Sequence, residues 1–308
     1  MTAASTTVAV PSAAPARRAG VLRWLWDFAI GTLLSTNPFT AVIVLGWLMR
    51  RMRWIAAPGE TRPGWLMSAG ETRMRRLLGG LVANTREGVG ALFSQLVISL
   101  PFTALMALAW WAGWNNSFSK GYEQAAAGPL LSLAAIVFSL PIIAYMPMAL
   151  AHQAAEQNWK AFFDWRTVRQ LIARTPWRYL AVMILLAAVS APVMFFRVLP
   201  VFAESIWPDL PSYDLETMDA IRLELNLAYA ATVFVSALII RGLSARCYAA
   251  AQASLSDPPP WLATRMFAWT LFMAASLAIV FETYVAQFFN YNSLRWFLHP
   301  HLLLPAAY

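Results

Sequence analysis

The chain has 308 residues, of which 59% are hydrophobic and only 12% are charged, and its formal net charge is +8. A soluble domain carries about 25% charged residues, so this composition excludes most soluble enzymes, secreted disulfide scaffolds and disordered regulators. The single cysteine, Cys247, excludes an intramolecular disulfide and a thiolate metal site. We predict no metal and no cofactor.

Residues 1–20 are rich in Ala, Ser, Thr and Pro and predict a disordered tail, followed by one transmembrane domain over residues 21–308. A helical membrane span needs about 20 apolar residues. The apolar segments predict an all-α polytopic bundle with spans at about 28–49, 91–113, 129–151, 179–200, 222–241 and 266–289. The last three are long enough if Arg197, Arg241 and Glu282 snorkel or pair. The fifth is expected to continue a helix that starts near Asp214.

The first apolar segment contains Ser35-Thr36-Asn37-Pro38, a helix-breaking sequence. Two interpretations follow. The segment is either a sixth true span or a re-entrant hairpin whose two ends lie on the same side of the membrane.

Charge predicts the orientation. Loop 50–87 carries eight arginines, and loops 152–178 and 241–265 are also basic, whereas the intervening loops carry few basic residues. The positive-inside rule places the basic loops in the cytoplasm and the C-terminus outside. The expected partners are anionic lipid headgroups on the cytoplasmic side, with a membrane-protein partner or a second copy as further possibilities, and no nucleic acid.

Two loop segments have the periodicity of basic amphipathic helices. Residues 72–85 carry an apolar stripe with Arg73, Arg75 and Arg76 off it. Residues 159–171 carry a second stripe, flanked by Lys160, Arg166, Arg169 and Arg174. Such helices lie in the membrane interface on the cytoplasmic side, where they bind lipid headgroups or only cover the end of the bundle.

Candidate chemistry is sparse. Glu282 and Arg197 fall at similar depths and are predicted to pair or share a water pocket, as a proton or substrate site or as a structural ion pair. Pro38, Pro101, Pro141 and Pro192 are predicted to kink spans, which would suit a transport pathway. His299 and His301 lack a third metal ligand. No catalytic motif is recognised, and the polar residues nearest to a catalytic set are His152, Glu156 and Asp164.

The stretch from Trp159 to Tyr179, WKAFFDWRTVRQLIARTPWRY, resembles an element of uncharacterised bacterial multi-span proteins. In those proteins a short, Phe-rich basic helix precedes each Pro-kinked span, and the resemblance covers about 140–200 here. It implies a bacterial inner-membrane protein of a family without assigned activity and supplies no catalytic residues.

Three function classes remain open. The first is a non-catalytic membrane subunit or assembly factor, favoured because neither a soluble domain nor a catalytic motif is found. The second is a small permease or permease subunit, favoured by the kinked spans and Glu282. The third is a membrane-embedded lipid-modifying enzyme.

Overall fold

The computed structural model describes residues 17–57, 59–67, 73–119, 127–207, 213–256 and 260–289. These ranges form eight α-helices and contain no strand, which confirms the predicted all-α class. The helices are α1 Arg17–Ser35, α2 Pro38–Ala56, α3 Arg73–Ser119, α4 Ala127–Glu156, α5 Trp165–Arg174, α6 Pro176–Ile206, α7 Leu215–Ala253 and α8 Leu262–Phe289, with a 3₁₀ turn at Trp159–Phe163.

Five of these helices are long and apolar enough to cross a membrane. The crossing segments are Leu78–Ala109, Leu130–Glu156, Pro176–Phe196, Glu216–Ala253 and Leu262–Ile279. The chain is therefore a multi-pass membrane protein. As predicted, the fifth apolar segment belongs to a longer helix: α7 begins at Leu215, and the Asp214 carboxylate caps it by accepting a hydrogen bond from the Thr217 N–H at 2.8 Å.

The first apolar segment is divided into α1 and α2 at the predicted helix-breaking sequence. The Asn37 side chain accepts a hydrogen bond from the Phe39 N–H at 2.9 Å and so caps α2, with Pro38 at the first helical position. Proline suits that position because the N–H it lacks would be unpaired there anyway. Pro38 therefore begins a helix, which corrects its predicted role as a kink within a span. Residues 28–49 are not one continuous helix.

The two helices fold back on each other as a hairpin. Asp27 of α1 accepts a hydrogen bond from the Trp65 indole N–H at 2.9 Å, and Trp65 stacks on Trp47 of α2 with ring centroids 4.3 Å apart. Asp27 precedes the break between α1 and α2 by about as many residues as Trp47 follows it, and both side chains contact Trp65. The two helices therefore run antiparallel. Phe234 of α7 packs against both, because its ring leaves no room for a side chain at Gly31 and lies 6.3 Å from Trp47.

The hairpin is short compared with a bilayer. The uncharged part of α2, Pro38–Met49, is about 18 Å long, whereas the hydrocarbon core is about 30 Å thick.

α1 begins at Arg17, so the last residues of the predicted tail are helical, while residues 1–16 lie outside the described part of the chain.

Residues 73–85 are the first turns of α3, a single 47-residue helix, which corrects the prediction of a separate interfacial helix. Small residues on α3 pack directly on the α2 backbone. A Cβ on Gly88 would lie 1.9 Å from the Val42 carbonyl oxygen, and one on Gly46 would lie 1.6 Å from the Asn84 carbonyl oxygen. The apolar stripe predicted here includes Leu78 and Val82, and it is not the face that packs, since these two side chains are 45% and 65% exposed.

Charged groups join α2 to its neighbours one to two helical turns after Gly46. Arg50 Nη1 donates to Asn84 Oδ1 at 2.8 Å, and Arg53 Nη2 pairs with Glu87 Oε1 at 2.7 Å. Arg53 Nε also donates to the Ala154 carbonyl of α4 at 3.0 Å. These loop arginines, counted above only as orientation signals, are therefore structural contacts as well.

Helix α4 lies centrally and packs against α2, α3, α7 and α8. At one end of the bundle α2, α4 and α7 end while α3, α6 and α8 begin. We call this end the basic end, because Arg53, Arg178 and Arg265 lie there. The candidate site lies at the same end.

Candidate functional site

A groove of about 630 Å³ opens at the basic end between α5 and the start of α8. Residues of α4 and the first residue of α6, Pro176, complete its lining. Most of the lining is apolar, and three arginines are also part of it. The lining residues are Pro141, Tyr145, Trp165, Arg166, Arg169, Ile172, Ala173, Pro176, Leu262, Arg265, Met266, Trp269, Thr270 and Phe272.

The sequence places α5 against the bundle by a cap and an apolar face. The Asp164 carboxylate accepts hydrogen bonds from the Thr167 N–H at 3.1 Å and from the Thr167 hydroxyl at 2.7 Å. These bonds hold the pKa of Asp164 below its usual value, because they favour the charged form. Val168 and Leu171 are fully buried, which directs Arg166 and Arg169 outward.

Aromatic contacts form the wall at α4 and α5. Trp165 stacks on Tyr145 with ring centroids 4.0 Å apart and planes 22° from parallel. The Tyr145 hydroxyl donates to the Phe162 carbonyl, so the ring is held at both its face and its tip. On the α8 side, Phe272 meets Trp269 edge-on at 5.9 Å. The apolar wall is therefore built from rings whose positions are fixed by their neighbours.

The electrostatics of the groove are one-sided. Within the part of the chain that the structure describes, no carboxylate forms an ion pair with Arg166, Arg169 or Arg265. Arg265 is partly buried, and its Nε has no hydrogen-bond partner among the residues that the structure describes. An apolar cleft with unpaired guanidinium groups favours an amphipathic anion, because guanidinium binds phosphate and carboxylate oxygens bidentately.

The structure brings together only part of the basic set predicted for this region. Arg166 and Arg169 line the groove, whereas Arg174 donates to the Ser254 carbonyl at 3.3 Å and joins α5 to the end of α7. Lys160 lies apart, over the Trp159 ring at 6.0 Å. The predicted stripe is divided at Asp164 between the 3₁₀ turn and α5, since Asp164 ends one and caps the other.

Sequence reasoning did not single out Arg265. It counted this arginine as one of several basic loop residues, although it lies between Trp261-Leu262 and Met266-Phe267, an arrangement typical of the membrane interface. Arg73, Arg75 and Arg76 lie in the first turn of α3, and their side chains fall outside the described part of the structure.

The predicted Glu282–Arg197 pair stays a prediction. The two residues lie on α8 and α6, which pack against each other, but both side chains fall outside the described part. Arg241, the third residue predicted to snorkel or pair, is only 4% exposed and forms no ion pair with a described carboxylate.

The structure also places the predicted span prolines and the polar residues His152, Glu156 and Asp164. Pro101 lies within α3, Pro141 within α4 and Pro192 within α6, and Pro141 lines the groove. His152 is buried, with Nδ1 3.3 Å from the Tyr248 hydroxyl. Among the described residues, no hydrogen bond or ion pair joins His152 to Glu156 or Asp164. His299 and His301 lie outside the described residues.

Comparison with known proteins gives a family and no relative with an assigned activity. No curated protein and no solved structure matches the chain. Residues 30–202 match the family model described as a protein of unknown function, DUF4013. The match runs from the last turns of α1 through most of α6, so it includes the hairpin turn, α2, Arg166 and Arg169. Because it covers more than half of the chain, this multi-pass membrane protein belongs to the DUF4013 family.

Proposed function

We propose that the protein is a non-catalytic subunit or assembly factor of the bacterial cytoplasmic membrane that binds one anionic phospholipid in the groove. The observation that carries the proposal is the apolar cleft of about 630 Å³ with three arginines that have no carboxylate partner among the described residues. Small-molecule pockets measure about 300–1,000 Å³, so the groove has the volume of a ligand site.

Charge, more than the apolar lining, would select the ligand. Any lipid chain is as well solvated in the bilayer as in an apolar groove, so the lining alone discriminates little. A headgroup phosphate reached by Arg166, Arg169 and Arg265 would form charge-assisted hydrogen bonds. A preference of about tenfold for anionic over zwitterionic lipid needs only about 1.4 kcal/mol.

The proposed orientation places the basic end in the cytoplasm. Five crossing helices, with both ends of the α1–α2 hairpin on the basic side, put the start of α1 inside and the end of α8 outside. This arrangement agrees with the positive-inside rule, including Arg17, Arg18 and Arg23 near the start of α1. The anionic lipids of the inner leaflet then face the groove.

The test is lipid retention. The protein would be purified in mild detergent after exposure to vesicles of equal parts phosphatidylglycerol and phosphatidylcholine, and bound lipid would be counted by native mass spectrometry. We expect about one phosphatidylglycerol per chain, and roughly tenfold less in the triple variant Arg166→Gln, Arg169→Gln, Arg265→Gln. The control is Arg222→Gln, an exposed arginine near the start of α7. Equal retention in the triple variant would overturn the proposal.

A second candidate function, a small permease or permease subunit, is favoured by one observation. The α1–α2 hairpin is too short to cross the bilayer and packs against α7, whose buried Arg241 meets the hairpin at Met49. Transporters use non-crossing helical segments and buried charges in this way. Uptake assays in proteoliposomes would separate this function from a subunit role, because Arg241→Gln should lose the uptake that a wild-type permease shows.

A further inference from the structure

Arg241 is the most completely buried arginine among the described residues. It lies within the crossing helix α7 and is 4% exposed. Nη1 donates to the Met49 sulfur of α2 at 3.6 Å, and Nε and Nη2 are buried without a hydrogen-bond partner among the described residues. A charge in such a place costs several kcal/mol unless something compensates it, and intramembrane charges commonly mark functional sites.

The two unsatisfied nitrogens define the shape of the missing partner. Nε–H and Nη2–H₂ form one edge of the guanidinium plane, and their N–H bonds point in nearly parallel directions. This edge matches two oxygens of one planar anion, as in the bidentate arginine–carboxylate pair. The opposite nitrogen, Nη1, is the one that faces Met49. The free edge is therefore suited to a carboxylate better than to a spherical ion.

The chain supplies no such carboxylate from its described residues. The described acidic side chains that form ion pairs, Asp27, Glu87 and Asp219, pair with Arg62, Arg53 and Arg222 respectively. Glu87, on α3, is held by Arg53, which is one helical turn beyond Met49 on α2. The positive charge of Arg241 is thus left over at a place where α2 and α7 pack together.

We infer that Arg241 binds the carboxylate of a small organic anion at a site between α2 and α7. The inference is independent of the lipid groove, because it concerns different helices and a different ligand. It would give a permease role its substrate class. The site is closed in this structure, so entry requires α2 to shift or Met49 to change rotamer; Met49 is unbranched and conformationally adaptable.

The experiment measures stabilisation of the purified full chain by named salts. Thermal unfolding would be followed by tryptophan fluorescence in sodium formate, sodium acetate and sodium chloride at equal ionic strength. A ligand at a hundredfold excess over its dissociation constant raises the midpoint of a chain of this size by about 4 °C. We expect a saturable rise with formate or acetate over chloride in the wild type.

Three variants make the result specific. Arg241→Gln should remove the difference between carboxylate and chloride. Arg241→Lys keeps the charge but lacks the planar edge, so it should retain general anion stabilisation and lose the preference for carboxylate. Arg246→Gln, an exposed arginine five residues further along α7, should behave as the wild type.

Two results would overturn the inference. One is a wild type whose unfolding midpoint is the same in formate, acetate and chloride, which decides the matter even if Arg241→Gln fails to fold. The other is an Arg241→Gln variant that folds and keeps the full carboxylate-dependent rise.

Discussion

Replacing Gly46 with alanine should separate α2 from α3. A Cβ at this position would lie 1.6 Å from the Asn84 carbonyl oxygen, and real Cβ atoms essentially never come within 3.0 Å of a heavy atom from a non-neighbouring residue. The helices must therefore move apart by about 1.4 Å, since both groups belong to rigid helical backbone. The same movement stretches the Arg50–Asn84 hydrogen bond of 2.8 Å and the Arg53–Glu87 ion pair of 2.7 Å.

The magnitude follows from these two losses. Overpacking costs about 1–3 kcal/mol. A hydrogen bond to a charged group contributes about 1.5–3 kcal/mol, and partial exposure of the ion pair reduces its share. Together they give about 3–5 kcal/mol, which lowers the unfolding midpoint of a chain of this size by about 5–8 °C.

The assay is thermal unfolding of Gly46→Ala in detergent, with Gly90→Ala as the matched control. A Cβ on Gly90 of α3 would meet its nearest neighbour, the Gln153 amide nitrogen, at 4.0 Å, an ordinary contact. Alanine there should be neutral or stabilise the helix by about 0.5–1 kcal/mol. Unfolding midpoints within about 2 °C of each other would refute the close approach of α2 and α3 described above.

Three further predictions concern α5, the hairpin and its orientation. Asp164→Ala should destabilise the fold by about 1 kcal/mol through loss of the α5 cap. Because the pKa of Asp164 is lowered on folding, its contribution to stability is present above the ordinary carboxyl pKa and is lost as the pH falls through the lowered value. A pH series of unfolding midpoints should show this component in the wild type and not in Asp164→Asn. Phe234→Ala should destabilise by about 3–5 kcal/mol in denaturant unfolding, since this fully buried ring fills the space between the two hairpin helices, whereas the exposed Phe267→Ala should change little. With Cys247 replaced by alanine, Gly20→Cys and Glu60→Cys should react with an impermeant maleimide only in inverted vesicles and Tyr213→Cys only in intact cells; labelling of Gly20→Cys in intact cells would contradict the hairpin orientation.

The apolar segments were sufficient to predict the fold class. The second to sixth predicted segments correspond in order to α3, α4, α6, α7 and α8. Long uncharged stretches are the strongest signal in a membrane sequence, which is why these helices could be predicted. The Asn37-Pro38 break was also visible, since proline constrains the backbone locally. What remained open was how the two helices it creates pack together.

That packing depends on partners distant in sequence. Asp27 directly precedes the first predicted span and no sequence pattern distinguishes it, yet it is 5% exposed and binds Arg62 and Trp65. Neither local periodicity nor composition can predict the pairing of Asp27 with Arg62, which lie 35 residues apart. The separate interfacial helix predicted at 72–85 was wrong for a related reason: an apolar stripe does not say whether lipid or a small-residue contact with α2 decides which face is buried.

The groove was predicted in part. Amphipathic periodicity identified Arg166 and Arg169 on α5, because a helix with a buried Val168–Leu171 face must direct its arginines elsewhere. It could not indicate Arg265, which reaches the same groove from α8 nearly a hundred residues later. For an intramembrane charged site the sequence predicts Glu282 with Arg197, whereas the described structure points to Arg241.

The most direct test of the proposed function is to locate a bound lipid on the chain. The protein would be reconstituted with phosphatidylglycerol that carries a photoreactive diazirine in one acyl chain, irradiated, and mapped by peptide mass spectrometry. We predict labelling concentrated on groove residues such as Ile172, Met266 and Trp269, and loss of that labelling in the triple arginine variant. Equal labelling of groove residues and of exposed apolar residues elsewhere, such as Ile184 on α6, would contradict a specific lipid site.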